Sequence, residues 1–187
     1  MRIVSGKFGG IRLNPVKREK QRPTTDKVKE SLFNITGPYF DSGSFLDLFA
    51  GSGAVGIEAV SRGMDRAVLV DRQFQAIKAI KENISKVHAE GQFEVIKGSA
   101  EKVMVSLSKK GEQFNMVYLD PPYKQQKLIE TLVALSDFNL LINDAVVICE
   151  TDNHTELPDV LDGFKVMKQK NYGLTSLKIY TYQMEKK

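Results

Sequence analysis

The chain has 187 residues, 42% hydrophobic and 27% charged, with a formal net charge of +4, enough to bury a core in one domain with an appendage. No apolar stretch approaches the roughly 20 residues of a membrane span, and the opening Met1-Arg2-Ile3-Val4-Ser5-Gly6 lacks the apolar segment of a secretory signal, so a cytoplasmic location is expected. A single cysteine (Cys149) and two isolated histidines (His88, His154) exclude a disulfide framework and offer no metal-ligating cluster, so no metal is expected.

Residues 2–4 and 11–13 are expected to pair as a hairpin across Gly6, Gly9 and Gly10. A polar stretch with Pro15 and Pro23 follows, and Thr24 or Thr25 can cap a helix running to about Thr36, with Val28, Leu32 and Ile35 on one face. Residues 1–29 carry nine basic and two acidic side chains, a net of +7, which leaves the other 158 residues at −3. A basic arm on a mildly acidic body is the footprint of a phosphate-backbone contact. Arg2, Lys7, Arg12, Lys17, Arg18, Arg22 and Thr24 are its candidate RNA-binding residues. The arm is therefore set at residues 1–24 and the main domain at 25–187.

Beyond the arm, strands are expected at about 45–49, 67–70, 93–96, 114–119 and 145–149. Helices are expected between them at about 54–63, 73–88, 101–109 and 125–136, the second with Phe74, Ile77, Ile80 and Ile84 inward. Two final runs, 164–171 and 175–183, flank Tyr172-Gly173 as an antiparallel hairpin. Strands alternating with helices make this an α/β chain with a doubly wound, mostly parallel sheet and right-handed crossovers. Ligands in such sheets bind beyond the strand C-termini. Asp47, Asp71, Ser99 and Asp120 all lie at or just past such ends.

Residues 45–59 read as a strand, a glycine-rich turn and a helix start, with Gly51, Gly53 and Gly56 spaced as G-x-G-x-x-G and Asp71 closing the next strand. On spacing alone this matches a dinucleotide fingerprint. Asp47 argues otherwise: a carboxylate at that strand end repels a pyrophosphate but suits an ammonium group. S-adenosylmethionine carries an ammonium, and its carboxylate can take N–H groups of the turn. The candidate cofactor-binding residues are Asp47, Phe49, Ala50, Gly51, Ser52, Gly53, Asp71, Arg72, Ser99 and Ala100, with Asp71 on the ribose hydroxyls. Asp120-Pro121-Pro122-Tyr123 closes the strand at 114–119. Prolines have no N–H, so their carbonyls stand free as acceptors. An acid, an exposed carbonyl and an aromatic ring converge there. Together they suit a flat base bearing an exocyclic amine, whose N–H groups go to the acceptors while Tyr123 stacks on the ring. These four residues are the candidate catalytic set; the bland alternative is a plain Asp-Pro turn.

Asp47-Leu48-Phe49-Ala50-Gly51-Ser52-Gly53 followed by Asp120-Pro121-Pro122-Tyr123 resembles Rossmann-like S-adenosylmethionine-dependent amino-methyltransferases. The chain resembles one family more closely, the bacterial small-subunit ribosomal RNA guanine-N2 methyltransferases. That likeness includes Met1-Arg2-Ile3-Val4-Ser5-Gly6-Lys7-Phe8, the block from Arg22-Pro23-Thr24-Thr25 to Ser31-Leu32-Phe33-Asn34, and Lys170-Asn171-Tyr172-Gly173-Leu174-Thr175-Ser176-Leu177. It implies a seven-stranded sheet with an antiparallel last strand and an N-terminal RNA-contacting hairpin. It also implies S-adenosyl-L-methionine as cofactor, methyl transfer to guanine N2 in 16S ribosomal RNA, and as partner either that RNA or a small-subunit assembly particle. A monomer is expected. Where related enzymes place an acid for the adenine amine, Gly98-Ser99-Ala100 offers a hydroxyl, which leaves that contact to Ser99 or to backbone groups. Two rival functions remain at this point. One is an adenine-N6 methyltransferase of DNA or RNA, which uses the same tetrapeptide logic. The other is a non-enzymatic nucleic-acid-binding protein, which has no need of Asp47, Asp71 and Asp120 together.

Overall fold

A computed structural model describes residues 1–16, 25–122 and 125–184, with the side chains of residues 125 and 126 outside the description. The helices are α1 (Asp26–Thr36), α2 (Ala54–Ser61), α3 (Phe74–Val87), α4 (Ala100–Lys109) and α5 (Gln125–Asp137). The strands are β1 (Ser44–Asp47), β2 (Arg66–Asp71), β3 (Phe93–Lys97), β4 (Phe114–Leu119), β5 (Leu141–Asp152), β6 (Val160–Leu161), β7 (Phe164–Tyr172) and β8 (Thr175–Tyr182). They form one sheet in the order β3-β2-β1-β4-β5-β8-β7-β6. The first five in that order run parallel. β8 lies antiparallel between β5 and β7.

Strict alternation along the central strands builds a core on each face. Phe45, Leu69, Met116 and Ile148 meet α1, α2 and α3 on one side. Leu46, Val68, Val117 and Val147 meet α4 and α5 on the other. Such two-sided burial is what a parallel sheet under helices requires. The chain passes from β1 to β2 in one direction and returns to β4 on the other flank of β1, so the switch point opens above Asp47 and Asp120.

Several expectations need correcting. The sheet has eight strands rather than seven, because the two-residue β6 adds itself to β7. β1 ends at Asp47, not residue 49: the Asp47 carboxylate accepts the Phe49 N–H at 3.0 Å and turns the backbone out of the ladder. β5 runs 12 residues, because β4 pairs along one edge and β8 along the other. Phe74 is 67% exposed while Ile77, Ile80 and Ile84 are buried. α3 starts beyond the end of β2, so its first turn overhangs the sheet and Phe74 lies under Lys97 instead, 5.8 Å from its ammonium.

The first residues of the chain fold back onto the domain. Arg2 bridges Arg12, with the Ile3 N–H donating to the Ile11 carbonyl at 2.9 Å, and Ile3 and Leu13 are buried in the core beneath α2 and α3. Glu58, fully buried on α2, accepts the Val4 and Ser5 N–H groups at 2.8 and 2.9 Å. The same carboxylate accepts Arg62 Nε at 2.8 Å and pairs with the buried Lys29 ammonium at 3.3 Å. Ser61 adds its carbonyl to the Lys7 N–H and its hydroxyl to the Phe8 N–H. Thr25 caps α1 by accepting the Val28 N–H. Thr24, Lys17, Arg18 and Arg22 lie outside the described residues.

Candidate active site

The ends of β1, β2 and β4, the turn before α2 and the start of α4 surround one cavity of about 710 Å³. The turn from Phe49 to Gly53 is shaped by local rules. Gly53 caps α2 in the left-handed region, at φ 80°, where glycine carries no steric penalty. Gly56 lies one turn further along, where an added Cβ would fall 2.3 Å from a Leu69 methyl, so the helix can approach β2 only with glycine there. Asp71 holds the turn from the next strand: its Oδ2 accepts the Gly51 N–H at 3.0 Å and its Oδ1 accepts the Gln73 N–H at 2.9 Å.

Of the residues expected at the cofactor, Asp47, Phe49, Ala50, Gly51, Ser52, Asp71, Arg72, Ser99 and Ala100 line this cavity, and Gly53 stands behind it as the α2 cap. Asp120, Pro121 and Pro122 line it as well, while Tyr123 lies outside the described residues. Arg2, Lys7 and Arg12 do not reach the cavity; all three are exposed on the arm. The Ser99 hydroxyl accepts the Lys102 N–H as the cap of α4, which leaves its proton free to donate.

Residues not anticipated from the sequence also line the cavity. Met1, Pro15 and Val16 bring the arm to its wall, and Gln73, Glu101 and Tyr118 complete the rim. The register of β4 on β5 sets Leu119 opposite Cys149, so Asp120, just past the end of β4, lies beside Glu150, still within β5. Tyr118 donates its hydroxyl to the Glu150 carboxylate. Period-two reading from Asp120 would have found Tyr118, and applying the strand-end rule to β5 would have found Glu150. No local signal placed the arm.

The acids set the electrostatics. Burial pushes the Asp47 carboxyl up to about 8; the Phe49 N–H opposes this and the nearby Asp71 and Glu150 add to it. Burial, then Glu150, then Asp47 hold Asp120 well above the usual carboxylate range. Arg72 is the one basic side chain among the described residues lining the cavity. The site is therefore starved of positive charge. Among the described residues no three His, Cys, Asp or Glu side chains come together as metal ligands would. An extended organic cation fits both facts, and S-adenosylmethionine, with its ammonium and sulfonium, is one. Gly51 leaves room as well, since a Cβ added there would meet nothing within 4 Å.

A pH dependence follows. Below about 8 the Asp47 carboxyl is protonated in the empty protein, yet a bound cation favours the carboxylate, so binding must release a proton. Cofactor affinity is expected to climb as pH rises toward about 8, the Asp47 midpoint, and to level off above it. Calorimetry in buffers of different ionisation enthalpy should register the released proton. Asp47→Asn should weaken binding and flatten the profile; a flat profile in the unaltered protein would count against this reading.

Asn83 ties the arm to the glycine turn. It is fully buried on α3. Its Nδ2 donates to the carbonyls of Asn14 and Ser52, both at 2.9 Å, and its Oδ1 accepts the Asn14 N–H at 2.7 Å. Asn83→Ala strands three backbone groups. We expect it to lower stability by about 1–3 kcal/mol and to weaken cofactor binding, read by thermal unfolding and calorimetry. Wild-type values in both would mean that water replaces the amide.

Residues 1–181 match the sequence model of the family described as Conserved hypothetical protein 95. The chain belongs to this family. Its relatives include Ribosomal RNA small subunit methyltransferase D of Escherichia coli K12, 33% identical over 96% of this chain and 89% of that protein. A Bacillus subtilis protein, YlbH, named provisionally as an rRNA methyltransferase, is 42% identical over 96% of this chain and 98% of its own length. Among solved structures, the Escherichia coli protein yhhF, provisionally a methyltransferase, superposes with a TM-score of 0.86 at 31% identity, covering 99% of both chains. The Rossmann-like methyltransferase architecture is thus common to this chain and its neighbours, and among the described residues no helix is long and apolar enough to cross a membrane.

Proposed function

We propose that the chain transfers a methyl group from S-adenosylmethionine to the exocyclic N2 amine of a guanine in small-subunit ribosomal RNA. The observation that carries this reading is that Asp120, Pro121 and Pro122 line the same cavity as Asp47 and Asp71. The name of the Escherichia coli relative supports the RNA and the subunit.

When bound, S-adenosylmethionine supplies a methyl carbon already made electrophilic by its sulfonium. The chain's own residues have to prepare the amine, whose lone pair is delocalised into the purine ring. The Asp120 carboxylate and the Pro121 carbonyl accept its two N–H groups, which favours a pyramidal nitrogen with a localised lone pair. Asp120 ionises more readily once positive charge occupies the cavity, which makes it an acceptor at the moment it is needed. Alignment of the amine can supply up to roughly 7–11 kcal/mol. The methylated nitrogen is acidic, so its proton leaves to Asp120 or to water without a strong base. A paired guanine cannot enter such a pocket, so the target must be unpaired or flipped out.

Residues 1–24 serve in this reading as the RNA-contacting arm of an enzyme acting as a monomer in the cytoplasm on free RNA or on an assembling subunit. The test is a nucleoside digest of small-subunit RNA from a strain lacking the gene, with and without the gene restored. N2-methylguanosine should disappear and return. N6-methyladenosine responding instead would move the substrate to adenine, and no change in any methylated nucleoside would sink the enzyme reading.

A further inference from the structure

We propose that β7 carries a second RNA-contacting surface, a row formed by Lys165, Lys168 and Lys170 that binds substrate phosphates; this rests on the RNA-substrate reading above. All three lysines are exposed, and none is paired with a carboxylate among the described residues. Strict alternation would put Lys165 on the opposite face from Lys168 and Lys170. A register shift between Val166 and Lys168 reverses that parity. Across β8, Lys165, Lys168 and Lys170 pair with Thr181, Ile179 and Leu177, three residues on one face. Ile179 and Leu177 belong to the core under α1, so the lysines stand on the α1 side of the sheet. The arm packs on that side too, through Ile3 and Leu13. The neighbouring Lys178 shows the contrast: it faces the other way and is held by Asp159 at 2.6 Å and the Leu157 carbonyl.

The row is in register with the chemistry. Lys170 lies opposite Leu177, Leu177 opposite Glu150, and Glu150 beside Asp120. Three strand spacings put Lys170 about 14 Å from the Asp120 backbone at the same rim. A strand whose target base enters at Asp120 can therefore lay its flanking phosphates along β7 while the arm holds the other flank. Lysines also guard sheet edges against pairing, and among the described residues β7 is covered on its outer side only by the two-residue β6. Edge protection, however, gives no reason for all three to share one face.

The test compares Lys165→Gln/Lys168→Gln/Lys170→Gln with a control of equal charge change on α4 and its C-cap, Lys102→Gln/Lys109→Gln/Lys110→Gln, using small-subunit RNA over a salt series. The β7 variant should bind RNA about tenfold more weakly at low salt, with the slope of log affinity against log salt shallower by about 2. KM for RNA should rise, while cofactor affinity and the rate at saturating RNA stay unchanged. Equal effects from the α4 control, or a β7 variant with unaltered slope, would overturn the proposal; unaltered RNA binding with new aggregation would assign the lysines to edge protection. An unaltered protein that methylates RNA while the β7 variant matches it refutes this surface alone. An unaltered protein that binds no RNA refutes the substrate reading and the surface together.

Discussion

Asp120→Ala is expected to lose at least about 10²-fold in methyl transfer to RNA while folding normally and retaining cofactor. That is the scale for removing one preorganised contact made in the transition state. The variant separates chemistry from stability because of where the carboxyl sits. Burial and the neighbouring Glu150 and Asp47 all raise its protonation midpoint, so the ionised group is a strained member of the native state. Removing it should leave the unfolding temperature unchanged or slightly higher. Asp120→Asn, which keeps one acceptor oxygen but adds a donor facing the amine, should fall between the two. The measurement is transfer of labelled methyl to unmodified small-subunit RNA or its assembly particles, with folding followed by thermal melt. A folded, cofactor-binding Asp120→Ala that methylates at the normal rate reduces the tetrapeptide to a turn.

Glu58→Ala should give the largest loss of stability. Glu58 is fully buried and is the shared counter-ion of Lys29, itself fully buried, and of Arg62, which is 4% exposed. Removing one partner of a buried ionic group strands the others and costs about 3–5 kcal/mol, roughly a 10 °C drop in unfolding temperature for a chain of this size. The same carboxylate holds the Val4 and Ser5 amides, so the arm should loosen as well. Met1, Pro15 and Val16 would then leave the cavity wall, and activity should fall with stability. Urea unfolding with a loss below about 1 kcal/mol would show that the cluster is not the anchor it is drawn to be.

How much of this was legible in the sequence depended on the range of the contact. The glycine turn, Asp47, Asp71 and Asp120 were readable because each is a strand-end event encoded within a few residues, and the alternating order of elements brings such ends to one rim. The helix Asp26–Thr36 was readable from its cap and its apolar spacing. Phe74 misled because helical periodicity says which face is inward but not where the sheet beneath it stops. β6 and the parity change in β7 were invisible, since a bulge is set by the partner strand. Glu150 was missed because the strand-end rule was not applied to the strand expected at 145–149, although Glu150 directly follows it. Met1, Pro15 and Val16 at the cavity depend on contacts to Glu58, Ser61 and Asn83 some 50 to 70 residues away, such as Val4 to Glu58 and Asn14 to Asn83, and no local pattern records such contacts.

The Asn83 amide has a consequence for the order of events in turnover. One side chain fixes both Asn14, next to the arm residues on the cavity wall, and Ser52, in the cofactor turn. A pull on either segment is felt by the other through three hydrogen bonds. Equilibrium reciprocity then applies: if engaging RNA shifts cofactor affinity by some factor, cofactor must shift RNA affinity by that same factor. In that case the two substrates are not independent passengers, and a dissociation constant for either one describes the protein only when the occupancy of the other is stated.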